Sequence, residues 1–556
     1  MKHIARTLYI LHFTFCILLF CNAQPLNKKK VFTHQDTLRG TIGPERVWWN
    51  VLRYDIEVTP DYESKTISAK NTITYSVLQD EHSDYIQIDL QQPLKIDSIY
   101  YDKKFYINYP RKPYYNEGNV WHIPLPKSKK NSLHTITICY TGKPREARNP
   151  PWDGGWIWKK DEKGRPWMSV ACQGLGASVW YPCKDHQSDE PDEGATLSVT
   201  VPDSLVAVGN GRLKEKKSNN GTTVWTWEVK NPINNYDIIP YIGKYVNWNE
   251  EYVGEKGKLD CSYWVLDYDL EKAKKQFEQV KPMLQSFEHW FGPYPFYEDG
   301  YKLVESPHLG MEHQSAVAYG NRFMNGYLGH DLSGSGWGNK WDYIIVHESG
   351  HEWFGNNITT KDIADMWVHE GITDYSETLF TESQYGKQAA DEYCQGLRKN
   401  IANDRTVIGI YGVNQEGSED MYYKGANMIH TIRQVINDDE KFRNILRGLN
   451  QDFYHQTVTS KQVEEYFTNK SGKDLSKIFD QYLRTTQIPV LEYKIESSSV
   501  SFRWTNCIDD FNMPVRLEKT DHWLSPTTAW KQIKLTDDVK DTLQVDKNFY
   551  ITVKKL

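Results

Sequence analysis

The segment His347-Glu348-Ser349-Gly350-His351 sets two imidazoles four positions apart, with a carboxylate directly after the first. On a helix, residues i and i+4 lie on one face, so both rings can reach a single metal ion. Glu370 stands further along the chain and can enter from a second helix. Such a set suits Zn2+, which takes three protein ligands in catalytic sites and keeps one position for water. Glu348 follows a ligand too closely to chelate with the pair, but it can reach that water. The reaction class expected is metal-assisted hydrolysis with one Zn2+ per chain. In it Glu348 takes the water proton and later delivers it to the leaving amine. The alternative is a surface helix carrying two solvated histidines. Tyr343-Ile344-Ile345-Val346 before the segment and Trp353-Phe354 after it weigh against that. Buried imidazoles and carboxylates are costly unless a metal or hydrogen bonds engage them. A ligating imidazole also needs a partner for its other nitrogen. Asp374 and Glu377, one and two turns past Glu370, are the candidates, and Glu377 is preferred.

Outward from this segment, helical spacing runs over 270–291 until Pro293 and Pro295 break it. Further helices are expected around 340–355, 370–384, 389–401, 423–437, 439–450, 460–469 and 474–484. The glycine-rich stretch 326–338 lacks a strand–turn–helix phosphate unit around it and is read as a flexible loop bordering the site. Upstream the pattern alternates, as in Leu52-Arg53-Tyr54-Asp55-Ile56-Glu57-Val58 and Thr72-Ile73-Thr74-Tyr75-Ser76-Val77, with Gly, Pro, Asn and Asp between the runs. Alternation returns after Pro489, in Val500-Ser501-Phe502-Arg503-Trp504 and Tyr550-Ile551-Thr552-Val553. The reading is a multidomain α+β chain. Residues 46–245 form an antiparallel β domain, 246–487 a mostly helical catalytic domain and 488–556 a small β domain.

The N-terminus has its own logic. Lys2 and Arg6 precede an apolar run from Leu8 to Cys21, and Cys21-Asn22-Ala23 ends in small residues. Residues 1–23 read as a secretory signal peptide and 24–45 as a polar tail, so the protein is expected to be exported, periplasmic or secreted. An uncleaved anchor and a lipidated Cys21 are the alternatives. The remaining cysteines, Cys139, Cys172, Cys183, Cys261, Cys394 and Cys507, are sparse and without paired spacing. That excludes a disulfide scaffold and a structural zinc knuckle. Cys172 and Cys183 are near enough in sequence to bridge, and buried free thiols are the plainer reading. Asn220, Asn357 and Asn469 head glycosylation sequons. The net charge of −7 is mild and the basic residues are dispersed, which excludes a nucleic-acid stripe. Nothing in the sequence points to an obligate protein partner.

His347 to Asn356, reading His-Glu-Ser-Gly-His-Glu-Trp-Phe-Gly-Asn, resembles the HExxHxWFGN segment of peptidase family M1. These are the gluzincin zinc aminopeptidases, which include aminopeptidase N and leukotriene-A hydrolase. Trp367-Val368-His369-Glu370-Gly371 is similar to the family's WLNEG, with His369 in place of Asn, and implies Glu370 as the third ligand. Leu309-Gly310-Met311-Glu312-His313 resembles its GxMEN, with Leu309 and His313 as departures. The resemblance implies that Gly310, Met311 and Glu312 bind substrate, with Glu312 holding the free α-amine. Tyr422-Tyr423-Lys424-Gly425 resembles YxKG and implies Tyr422 as the donor to the tetrahedral oxyanion, with Tyr423 as its neighbouring competitor. Gln173, ahead of Pro182-Cys183-Lys184-Asp185, resembles a glutamine that helps hold the amine. The implied architecture is an N-terminal β saddle, a thermolysin-like catalytic domain and a small C-terminal β-sandwich. The family's C-terminal helical domain is expected to be absent. The implied activity is removal of N-terminal residues from peptides with a free N-terminus. A thermolysin-type endopeptidase, which would not need Glu312, and a silent peptide-binding protein on the same fold are the competing classes.

Overall fold

The computed structural model describes residues 31–106, 113–518, 520–534 and 542–556. The expected signal peptide lies outside the described residues. Within the stretch read as a tail, His34–Gly40 forms a short helix.

The N-terminal region is built on an eight-stranded sheet. Its order is Arg212–Asn219, Thr222–Val229, Ala195–Pro202, Trp49–Asp61, Thr66–Val77, Leu133–Gly142, Lys95–Tyr101 and Lys104–Phe105. Its alternating runs bury one face, as the pattern requires: Ile73, Tyr75 and Val77 are fully covered and join one core. All its pairings are antiparallel except one. Trp49–Asp61 runs parallel to Ala195–Pro202, with Tyr54 opposite Ala195 and Val58 opposite Val199. The antiparallel sheet expected from the sequence is thus present, with this one parallel pairing added to it. Alternation reports which face a residue occupies, not the direction of a partner strand remote in the chain. A smaller sheet contains Pro166–Ala171, which ends immediately before Cys172 and Gln173 and so delivers Gln173 to the site.

The catalytic region contains more sheet than its periodicity suggests. A five-stranded sheet runs Tyr245–Gly254, Gly257–Leu266, Tyr301–Glu305, Val317–Tyr319 and Gly310–Met311. Its inner strands are buried on both faces. Tyr263, Val265, Leu303, Val317 and Tyr319 face the helices, whereas Trp264, Leu266, Val304, Ala316 and Ala318 face the N-terminal core. The sheet is therefore the shared wall of the two hydrophobic cores. Val280–Phe291 and Tyr343–Gly350 stand against it, and Trp367–Tyr385, Lys387–Leu397, Tyr423–Ile436, Asp439–Asp452, Ser460–Ser471 and Ser476–Arg484 build the helical layer beyond them. At the C-terminal end a four-stranded and a two-stranded sheet continue the helical core through Leu491, Phe502 and Trp504.

The described cysteines are all free. Asn357 is buried and hydrogen-bonded to Asn450, which closes that sequon to modification. No helix among the described residues is long and apolar enough to cross a membrane.

Trp264 is the clearest test of the shared wall. Its ring meets Trp225 and Trp227 edge-on, with centroids 6.5 and 5.7 Å away. Trp264→Ala should cost about 3–5 kcal/mol in a denaturant titration. An unchanged midpoint would contradict the double-sided burial of this strand.

Candidate active site

The helix Tyr343–Gly350 is short and buried at every position. Asp342 caps it, accepting from the backbone N–H groups of Ile344 and Ile345 at 3.1 and 3.3 Å. Asp342 is itself fixed by the Tyr319 hydroxyl at 2.7 Å and the Asn321 amide at 2.8 Å. The helix expected over 340–355 ends at Gly350, and His351 is its C-cap residue, still right-handed at φ −64° and ψ −20°. The local i, i+4 geometry survives, and the two Nε2 atoms lie 3.3 Å apart.

A second helix, Trp367–Tyr385, brings Glu370 to the same point. Its carboxylate stands 3.3 Å from His351 Nε2 and 3.7 Å from His347 Nε2. Gly350 permits this approach, since a Cβ there would lie 2.7 Å from Ser376 Oγ. The outer ring nitrogens are engaged elsewhere. His347 Nδ1 meets the Glu377 carboxylate at 2.7 Å, and His351 Nδ1 meets the Phe354 carbonyl at 3.0 Å. With Nδ1–H donated in each case, both Nε2 lone pairs converge on Glu370, as a metal site requires. Glu377 also accepts from the Tyr393 hydroxyl at 2.5 Å. Between the two candidates for orienting His347, it is Glu377 that makes the contact. Asp374 is buried beside it, its carboxyl pushed well up by burial and then by Glu377.

The electrostatics favour a cation at this point. Burial opposes charge on His347, but Glu370 and Glu377 outweigh it and drive its pKa up; Glu370 does the same for His351. Burial would raise Glu370, yet the facing His351 and His347 hold it well below the usual carboxylate range. Ligand atoms of His347, His351 and Glu370 all lie within 4.8 Å of one another. The three residues fit a single Zn2+ in donor type, convergence and charge.

The edge strand Gly310–Met311 passes beside Glu348. A Cβ on Gly310 would sit 2.6 Å from Glu348 Oε1, so only glycine lets the strand lie there. Burial pushes the Glu348 carboxyl up to about 7, with His347 pulling it down and Glu312 adding to the rise. Strand alternation turns Met311 away. Its side chain packs into the N-terminal core, so what it offers a substrate is its backbone. Glu312 turns back toward the site, and its carboxylate oxygen lies within 4.8 Å of Glu348 and His351. It accepts from Gln173 Nε2 at 2.5 Å and from the Tyr236 hydroxyl at 3.0 Å. Burial raises its pKa, His351 opposes, and Glu370 adds to the rise.

Tyr422 immediately precedes the helix Tyr423–Ile436, with its ring 6.1 Å from that of His347. Burial, then the charges of Glu370, Glu416, Glu312 and Glu348, raise its pKa far above the ordinary value, so it keeps its proton. What brings it close is a glycine crossing. A Cβ on Gly425 would lie 2.9 Å from the Gly371 Cα, and one on Gly371 would lie 2.8 Å from the Met421 carbonyl. The glycine after Glu370 and the glycine after Tyr422-Tyr423-Lys424 thus touch.

Sequence reasoning missed Tyr236, Tyr393 and Thr373, whose hydroxyl lies 3.3 Å from His351 Nδ1. No spacing rule marks them. His369, where the resemblance expects Asn, accepts the Thr360 N–H at 2.8 Å; burial lowers its pKa to about 3, so it is neutral and able to do so.

These elements form a buried centre of imidazoles and carboxylates whose donors could hold one metal ion. The Peptidase family M1 domain matches residues 275–482, and the Peptidase M1 N-terminal domain matches residues 50–236. The chain belongs to peptidase family M1, whose cofactor is zinc. Leukotriene A-4 hydrolase from Xenopus laevis is 22% identical over 82% of this chain and 74% of its own length. Aminopeptidase B from Mus musculus is 23% identical over 59% of this chain, and the match spans about half (51%) of that relative. An M1 zinc metallopeptidase from Deinococcus radiodurans shares the fold, with a TM-score of 0.66 and 19% identity over 80% of this chain and 96% of that one.

Gly425→Ala tests the crossing. It should push the two helices apart, cost about 1–3 kcal/mol of stability and lower kcat at unchanged zinc content. Wild-type kcat in this variant would contradict the dependence of Tyr422 placement on Gly425.

Proposed function

We propose that this protein is a zinc aminopeptidase that hydrolyses the first bond of peptides bearing a free α-amine. The observation that carries the reading is Glu312. Once three ligands and a base are assigned, the further carboxylate whose oxygen lies within 4.8 Å of Glu348 and His351 is Glu312, buried and fixed by Gln173 and Tyr236. A fixed negative charge beside the reacting centre binds an ammonium there, and the ammonium of a peptide's first residue stands one residue from its own scissile carbonyl. An internal residue or an N-acylated one has no such charge to offer. A Deinococcus radiodurans structure of the same fold holds a Tyr-ser-ala substrate, which agrees with a peptide ligand.

His347, His351 and Glu370 would hold the zinc, which when bound supplies a Lewis acid able to acidify water and polarise a carbonyl. Glu348, with a carboxyl near neutral pKa, takes the water proton on one side of the peptide carbon and returns it to the departing nitrogen. Tyr422 donates its O–H to the oxyanion, a position where charge develops only in the transition state. Glu377 and the Phe354 carbonyl hold the imidazoles in the required tautomer.

Glu348→Gln should cut kcat by about 10²–10⁴-fold with zinc retained, measured on an aminoacyl-p-nitroanilide panel and by metal analysis. Near-normal turnover in that variant would remove Glu348 as the base. N-acetylated peptides should resist the wild-type enzyme, and their cleavage at a rate equal to the free-amine forms would favour an endopeptidase. Export is part of the same proposal, on the Lys2, Arg6 and Leu8–Cys21 pattern. N-terminal sequencing of the protein from an exporting host should begin near Gln24, whereas an intact Met1 would contradict a cleaved leader.

A further inference from the structure

The stretch that reads as a polar tail is docked beside the amine-binding corner. The helix His34–Gly40 ends in Arg39-Gly40. Arg39 donates from its guanidinium to the Gly174 carbonyl at 2.9 Å and stands 3.8 Å from the Asp185 carboxylate. Gly174 is the residue after Gln173, whose amide holds Glu312. Both Gly174 and Gly176 have positive φ, +67° and +100°, so the loop turns sharply at each. The guanidinium lies across this turn, since a Cβ on Gly176 would collide with both Arg39 and Asp185.

The docking is built rather than incidental. Arg46, fully buried, caps the helix by donating to the carbonyls of Leu38, Arg39 and Thr41 at 3.1, 2.9 and 3.1 Å. It also pairs with Asp89. Gly40 lies against the backbone of 412–414, where a Cβ would come within 2.6 Å of Val413 N and Asn414 N. Asn414 in turn donates to the Gly174 carbonyl at 3.1 Å. One carbonyl, next to Gln173, thus receives a donor from the N-terminal helix and another from the catalytic region.

We infer that Arg39 is a positioning residue for substrate binding: by holding Gly174 it sets Gln173, and through Gln173 the carboxylate of Glu312. The inference rests on the aminopeptidase reading of Glu312. The helix couples the N-terminal β region to the 412–414 loop at the point where the peptide amine is read. A guanidinium suits this place because its planar fork serves a carbonyl and a carboxylate at once, which a lysine ammonium cannot match.

The test is a double-mutant cycle on the full chain, read as KM and kcat for the best substrate of a free-amine aminoacyl-p-nitroanilide panel. Arg39→Ala should raise KM by about 3- to 10-fold, the scale of one lost buried hydrogen bond, with kcat within about 2-fold. Gln173→Ala should raise KM similarly. In the Gln173→Ala background, Arg39→Ala should raise KM no further, because both act on one contact. Gln35→Ala, which removes a docking bond to Glu117 one turn earlier in the helix and leaves the Arg39–Gly174 contact in place, should leave KM at the wild-type value. Arg39→Lys should also raise KM, and it carries the same cycle if Arg39→Ala fails to fold. Wild-type KM in both Arg39 variants while Gln173→Ala raises it, or effects that multiply in full in the double variant, would overturn the inference and leave the aminopeptidase reading intact. Failure of the wild-type protein to turn over any free-amine substrate would overturn both.

Discussion

The convergence of two imidazole lone pairs on Glu370 is the constraint around which this structure is organised. It depends on hydrogen bonds made on the opposite side of each ring, to Glu377 and to the Phe354 carbonyl. Without those bonds either nitrogen could carry the proton and the rings could rotate. The need for them explains why so much of the neighbourhood is buried and polar: Asp342, Thr373, Glu377 and Tyr393 are all closed off from solvent and serve the two helices that meet here. Buried polar groups are tolerated when each finds a partner, and here the partners fix a geometry.

Glycine supplies the second layer of control. Gly350 lets the helices bearing His347 and Glu370 approach, Gly310 lets the edge strand reach Glu348, and the contact of Gly371 with Gly425 brings Tyr422 in. In each case a single methyl group would stand 2.6 to 2.9 Å from an atom of another element. The side chains gathered here are polar, but the distances between them are set by positions that have no side chain. The five-stranded sheet completes the frame. Its two faces belong to different cores, so the edge strand Gly310–Met311, which ends just before Glu312, pairs to a wall held from both sides.

Much of this was legible in the sequence. The helices around 439–450 and 460–469 declare themselves because each is amphipathic and one face meets solvent, whereas Tyr423–Ile436 keeps its helical spacing although it is buried along nearly its whole length. The site residues from Gln173 to Tyr422 were readable because each falls in a short motif of the M1 type, except Glu377, which was read from its helical spacing after Glu370; the structure brings all of them to one place, with the Met311 side chain turned away. The strand Tyr301–Glu305 was not readable, because burial on both faces removes the alternation that marks a strand. The parallel pairing of Trp49–Asp61 with Ala195–Pro202 was hidden for another reason: direction leaves no trace in local pattern. Tyr236 and Tyr393 reach the site from remote segments with no motif. The helix His34–Gly40 passed for a tail because it is short and polar, and it docks through carbonyl groups and Gly40 rather than through an apolar stripe.

The central claim is that His347, His351 and Glu370 hold the metal while Glu312 and Glu348 remain free for substrate and water. A second grouping nearby, Glu312, Glu348 and His351, also has its ligand atoms within 4.8 Å. Anomalous diffraction at the zinc edge from crystals of the zinc-loaded protein separates the two. The account predicts a single peak bonded to His347 Nε2, His351 Nε2 and Glu370, with Glu312 and Glu348 uncoordinated. A peak bonded to Glu312 or Glu348, or none at the His347–His351 pair, would contradict it.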